Sequence, residues 1–145
     1  MKRRTDIDRL HEEIQELIDD LWHLPRFAGG RRGFRPAADC IRSEDPAELR
    51  VVVELPGVDP SSIQVVAADR VLMVAGERRR PDVHGRYQQL EIEYGPFQRR
   101  IPLDEPVDTD AATARFEGGM LTVTLPIAAE APRPERVAIV IRGMA

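Results

Sequence analysis

The sequence is short of the residue types that carry most covalent and redox chemistry. Cys40 is the only cysteine, so no intrachain disulfide can form and a thiolate-rich metal site is excluded. There is no asparagine, hence no N-glycosylation acceptor, and Lys2 is the one lysine against twenty arginines. Aromatic residues make up 5% of the chain, too few for a platform on which single-stranded bases stack. The longest apolar runs span only a few residues, far short of the ~20 needed to cross a bilayer. Met1-Lys2-Arg3-Arg4 is followed by Asp6 and Asp8 rather than by the apolar core of a secretory signal. A basic excess is missing as well: 21 basic and 25 acidic side chains leave a net charge of −4, which argues against a phosphate-backbone partner. These absences lead to the expectation of a cytoplasmic protein with no integral membrane association and no nucleic acid partner. Arg31-Arg32 and Arg78-Arg79-Arg80 read as charge on solvated loops.

Catalytic groupings are equally scarce. His11 and His23 lie on one predicted helix, separated by roughly 18 Å at ~1.5 Å per residue, so they cannot share a ligand. His84 stands alone in a polar stretch. None of Ser43, Ser61 and Ser62 sits in a Gly-x-Ser-x-Gly elbow, and the pairs Gly29-Gly30 and Gly118-Gly119 lack the spacing and lysine of a phosphate loop. Cys40, beside Ile41 in a predicted strand, reads as a small buried or half-buried hydrophobe, with a redox handle as the alternative. No enzyme, metal site or cofactor is expected.

What the chain does contain is pattern. At 145 residues and 42% apolar it holds one domain with a real core. Over residues 5–24, Ile7, Leu10, Ile14, Leu17, Ile18 and Leu21 recur at helical spacing, with Asp8, Glu12, Glu13, Glu16, Asp19 and Asp20 mostly off that stripe. Thr5 or Asp6 can cap this helix and Pro25 stops it. A flexible basic linker, with Gly29-Gly30 and Gly33, runs to Pro36. From there to Pro126 the period becomes two: Leu49, Val51, Val53 and Leu55; then Ile63, Val65 and Ala67; then Leu72 and Val74; then Leu121, Val123 and Leu125. Turn residues separate these runs and no helical stretch intervenes. The fold class is therefore all-β, an immunoglobulin-like sandwich preceded by an amphipathic helix and followed by a flexible tail. The boundaries fall at residues 1–36 for the arm, 37–127 for the domain and 128–145 for the extension.

Two segments do not fit a simple sandwich. The polar stretch from Arg78 to Gln89 is too long for a hairpin loop. The tail runs through Pro132 and Pro134 into Val137-Ala138-Ile139-Val140-Ile141, an uncharged five-residue run that is an aggregation hazard if left exposed. It is either docked elsewhere or a last strand of its own domain.

Four stretches carry a family resemblance. Val53-Glu54-Leu55-Pro56-Gly57-Val58, Val71-Leu72-Met73-Val74-Ala75-Gly76-Glu77-Arg78, Glu93-Tyr94-Gly95-Pro96-Phe97-Gln98-Arg99, and Ala114-Arg115-Phe116-Glu117-Gly118-Gly119-Met120-Leu121-Thr122-Val123-Thr124-Leu125-Pro126 resemble, in order, the strand motifs of the α-crystallin domain of small heat shock proteins. One departure is the turn after the third motif, where Pro102 and Pro106 bracket Leu103-Asp104-Glu105. The arm also departs, being short and holding only Phe27 and Phe34 as phenylalanines.

The resemblance implies an ATP-independent holdase for non-native client proteins, assembling from dimers into larger homo-oligomers. It places Ile139 and Ile141 as an anchor on a neighbouring subunit, in a groove lined by Val66, Ala68, Ala114 and Phe116. It implies a dimer interface in which a short strand at Arg86, Tyr87 and Gln88 pairs with residues 39–41 of the partner, Asp39 and Ile41 among them, with Arg99 nearby. Ile7, Leu10, Ile14, Leu17, Leu21 and Trp22 form the client-binding arm. Same-fold alternatives are a self-assembling scaffold or coat protein and a monomeric CS-domain co-chaperone.

Overall fold

Alternating side chains become strands where both faces find a use. The computed structural model describes residues 34–68, 70–129 and 136–143. The helix predicted over 5–24, with Ile7, Leu10, Ile14, Leu17, Leu21 and Trp22, lies outside the described residues. Nine strands follow one another: β1 (Ala38–Glu44), β2 (Ala47–Glu54), β3 (Gln64–Ala68), β4 (Val71–Arg78), β5 (Gly95–Pro102), β6 (Thr113–Glu117), β7 (Met120–Pro126), β8 (Val137–Ile139) and β9 (Ile141–Arg142). They form a five-stranded sheet in the order β1-β2-β7-β6-β9 and a four-stranded sheet in the order β5-β4-β3-β8. This is the all-β sandwich that the alternation predicts.

The core is the layer between the sheets. Leu49, Val51 and Val53 of β2 and Leu121, Val123 and Leu125 of β7 are each at most 4% exposed, and they face Val65, Ala67, Leu72, Val74, Phe97 and Ile101 of the second sheet. Leu103 and Val107 are buried on either side of Asp104-Glu105, so the turn bracketed by Pro102 and Pro106 is held from both ends. The Leu103 N–H also donates to the Arg70 carbonyl at 2.8 Å.

Two turns explain two motifs. Pro56-Gly57 reverses the chain between buried Leu55 and Val58, with Gly57 at φ +79° and the Val58 N–H donating to the Leu55 carbonyl at 3.3 Å. Gly118 and Gly119, at φ +59° and +78°, form the two-residue loop joining β6 to β7, a conformation that other residues adopt at a cost. A Cβ on Gly119 would stand 3.0 Å from the Pro56 Cα, whereas one on Gly118 would meet nothing within 4 Å.

Gly119→Ala is expected to lower unfolding stability by about 1–2 kcal/mol from the left-handed backbone, plus the clash with Pro56, and so to cost more than Gly118→Ala. Urea unfolding of the two variants checks this. Equal losses would remove the Pro56 contact from the explanation.

Candidate assembly surfaces

A stack of two sheets has two open flanks, and the structure closes each differently. On one flank β3 and β6 are filled by the tail. β8 pairs antiparallel with β3, setting Val65 opposite Ile139 and Val66 opposite Ala138. β9 pairs parallel with β6, setting Ala114 opposite Ile141. Ile139 is 8% exposed and joins the core that holds Ala114 and Phe116; Ile141 packs against that core half-buried. Val140 between them is 76% exposed, where the chain crosses from one sheet to the other. Each isoleucine thus enters from a different sheet edge, and full burial of one is worth ~1.5–3 kcal/mol.

One detail differs from the expectation. Cross-strand partners share a face, so Ile139 lies on the Val65 side, with Ala67 two residues on. Val66 turns to the opposite face, and Ala68 follows it by alternation, so these two do not line the groove beside Ala114 and Phe116. Within this single chain the tail lies on its own domain. A groove that accepts an extended segment takes it equally from its own chain or from another copy, which local pattern cannot distinguish.

On the other flank, the segment before β1 crosses to β5. The Arg99 guanidinium donates to the Pro36 carbonyl at 2.6 Å, and Pro36 is fully buried. Burial, followed by repulsion from Arg35, holds the Arg99 pKa below the usual guanidinium value. Phe34 sits edge-on to Phe97, ring centroids 5.7 Å apart, and the Arg78 guanidinium lies 3.6 Å from the centroid of its ring. Arg78 also donates to the carbonyls of Pro56 at 3.2 Å and of Glu93 at 2.9 Å, and lies 5.5 Å from the Tyr94 ring. Gly76 is required beside this cluster, because a Cβ there would come within 2.8 Å of the Phe97 ring.

β1 has no strand on its outer side among the described residues. Asp39, Cys40 and Ile41 are exposed, Ile41 at 42%. Cys40 is therefore in a strand but not buried as its neighbours predict. Partial desolvation, then the Asp104 carboxylate, raise its thiol pKa, so it is a poor nucleophile at neutral pH. Arg42 ties the strand to the turn after β5 through Glu105 at 2.9 Å.

The long connection runs over residues 79–94, with neither helix nor strand. Arg86, Tyr87 and Gln88 form no strand here and are exposed. The segment extends beyond Gln89 and displays residues that the sequence pattern did not single out: Leu90 is 58% and Ile92 62% exposed. Their signal is the alternation in Leu90-Glu91-Ile92-Glu93-Tyr94. Such a pattern reads as an ordinary half-buried strand, but no strand pairs with it among the described residues. Arg80 stacks over Tyr94 at 4.6 Å and Tyr87 at 5.5 Å, which orders the base of the loop while leaving its apolar side chains in water. His84 is exposed on this loop, His11 and His23 lie outside the described residues, and no metal-ligand cluster occurs among the described residues.

A two-sheet sandwich with one flank stopped by an Ile-Val-Ile tail, a long loop between β4 and β5 and β1 left as an edge strand defines the class of β domain. The Hsp20/alpha crystallin family model matches residues 41–141, and the chain belongs to that family. It is 40% identical over 125 residues to the 16.9 kDa class I heat shock protein 1 of Triticum aestivum, covering 83% of this chain and 82% of that one. It is 28% identical over 128 residues to small heat shock protein C2 of Rickettsia felis, covering 87% and 80%. Among solved structures, heat shock protein 16.0 from Schizosaccharomyces pombe aligns with a TM-score of 0.60 and 31% identity, over 74% of this chain and 99% of that one.

Arg99→Ala should leave the buried Pro36 carbonyl without a donor and cost about 1–3 kcal/mol. Arg99→Lys, which keeps a donor, should recover part of the loss. Thermal melts of both variants read this out; an unchanged Ala melt would mean that the flank is held by the Phe34 cluster alone.

Proposed function

We propose that the chain is an ATP-independent holdase that binds partly unfolded proteins and keeps them from aggregating under stress, and that it assembles from dimers into larger oligomers in the cytoplasm. One observation carries this reading: apolar side chains sit on peripheral segments, outside the central strands of the sandwich. Leu90 and Ile92 are exposed on a loop, and Ile139 and Ile141 are on a tail held by a few strand pairs. A client exposes unpaired strand edges and apolar side chains, and segments of this kind are what engage them. Family membership supports the same reading. So does the small heat-shock protein from Xylella fastidiosa, 31% identical at a TM-score of 0.57 over 70% of this chain, whose crystal structure reveals a distinct high order structure.

For the dimer, residues 86–94 of one chain are the natural complement of the open edge of β1 in another. Leu90 and Ile92, with Arg86, Tyr87 and Gln88, supply a strand-like run, and residues 39–41 offer unpaired backbone groups. The Ile139 and Ile141 contacts then join dimers, with the arm residues Ile7, Leu10, Ile14, Leu17, Leu21 and Trp22 holding clients. No phosphate loop is present in the sequence, so holding needs no nucleotide, and refolding is left to other machines. Among the described residues no helix is long and apolar enough to cross a membrane.

Near-stoichiometric protein should suppress the light scattering of a heated client equally with and without ATP. No suppression at several-fold excess, across several unrelated clients, would overturn the holdase reading in favour of a scaffold that only self-assembles.

A further inference from the structure

The four-stranded sheet has an outer face that is dry. Val66, Met73 and Ala75 are 2%, 1% and 6% exposed, yet none belongs to the core between the sheets. Register explains where they are. Val66 pairs with Met73 on one side and with Ala138 on the other, Met73 pairs with Arg100, and Ala75 pairs with Gln98. Cross-strand partners share a face, so these residues form one patch that points away from Val65, Val74 and Phe97. The Gln98 side-chain amide donates to the Met73 sulfur at 3.1 Å. The inner side of this sheet packs on β2 and β7 through the core; apart from its sheet neighbours, the described element in most extensive contact with β4 is the single turn Pro60–Ser62, where the Ser62 hydroxyl donates to the Glu77 carbonyl near the end of the strand. Side chains at the centre of an uncovered sheet face stay wet, so a methionine at 1% exposure requires a cover.

We infer that the cover is the chain's own arm, residues 5–24, laid with its apolar stripe across Val66, Met73 and Ala75. Four observations commit the site to this occupant. The described chain starts at Phe34, which is fastened to Phe97 of β5 and Arg78 of β4, so the arm departs from the flank beside the edge of this sheet. The nine residues from Pro25 to Gly33 can reach roughly 30 Å at ~3.3 Å each, enough to return over the face. A helix of the predicted length spans about 30 Å, close to the ~26 Å of an eight-residue strand such as β4. Charge matches too. Arg100 lies in register beside Met73, and Arg136 leads into β8 at the far side, both engaged in polar or electrostatic contacts. The arm carries Asp8, Glu12, Glu13, Glu16, Asp19 and Asp20 around its stripe.

Docked in this way, Ile7, Leu10, Ile14, Leu17 and Leu21 are stowed against the sheet and withheld from solvent. Release exposes two apolar surfaces at once, the stripe and the sheet face. That consequence rests on the holdase reading; the docking itself does not.

The methionines provide the test. Met73 lies under the cover, while Met120 on β7 is 39% exposed and serves as the internal reference. In the full-length protein, Leu10→Glu with Leu17→Glu charges the stripe without touching the sandwich. Peroxide oxidation followed by peptide mass spectrometry should show Met73 reacting far more slowly than Met120 in the parent, and about tenfold faster in the variant, with Met120 unchanged. A Met73 rate untouched by the arm variant would overturn the inference. Protection of Met73 that instead grows with protein concentration would assign the cover to a second copy of the chain and overturn it equally. Client assays read separately, so loss of holdase activity and loss of docking are distinguishable.

Discussion

Everything in this molecule follows from the problem of the flanks. Two sheets stacked face to face bury a common core but leave two sides where that core meets water. Here one side is closed by Ile139 and Ile141, which pair with opposite sheets, and the other by Arg99 and Phe34, which fasten the approach to β1 onto β5. Neither closure is made by the central strands. Both are made by peripheral segments, and a segment held at the periphery can leave without unfolding the sandwich.

That separation gives the chain two kinds of surface. The core residues of β2 and β7 are almost fully buried and fixed. Leu90, Ile92 and Ile41 are exposed in the single chain and gain only by contact with another molecule. An edge strand of this kind is normally an aggregation liability, and association with a second copy of the same chain is one way to manage it. The same chemistry that joins copies serves for holding a client, which presents edges and apolar side chains of similar character.

Legibility in the sequence follows the number of faces with a settled role. β2, β3, β4 and β7 are readable because one face of each is buried in the core, and period two records that. β1 is readable as a strand at Cys40 and Ile41 but not in its facing, because its side chains are largely exposed and carry no alternation. The run at Leu90 and Ile92 has the pattern of a strand but pairs with no strand among the described residues, so pattern alone assigns it to no site. Alternation with Val65 and Ala67 sets Val66 on the opposite strand face, but which face the tail isoleucine takes is not visible in the sequence; the pairing of Ile139 with Val65 puts it on the side away from Val66. The stacking of Arg78 on Phe34 joins residues far apart in sequence and leaves no local signal.

A tail that links copies must be separable from the sandwich it closes. The double substitution Ile139→Ala with Ile141→Ala removes both plugs, costing up to about 2–5 kcal/mol at buried Ile139 and less at half-buried Ile141. Light-scattering mass measurement beside a circular dichroism melt is the direct measurement. The assembly should shift toward dimers that keep a cooperative β-sheet melt. An unchanged mass would remove the tail as the link, and a lost melt would make β8 and β9 integral to the domain; either contradicts the separable tail.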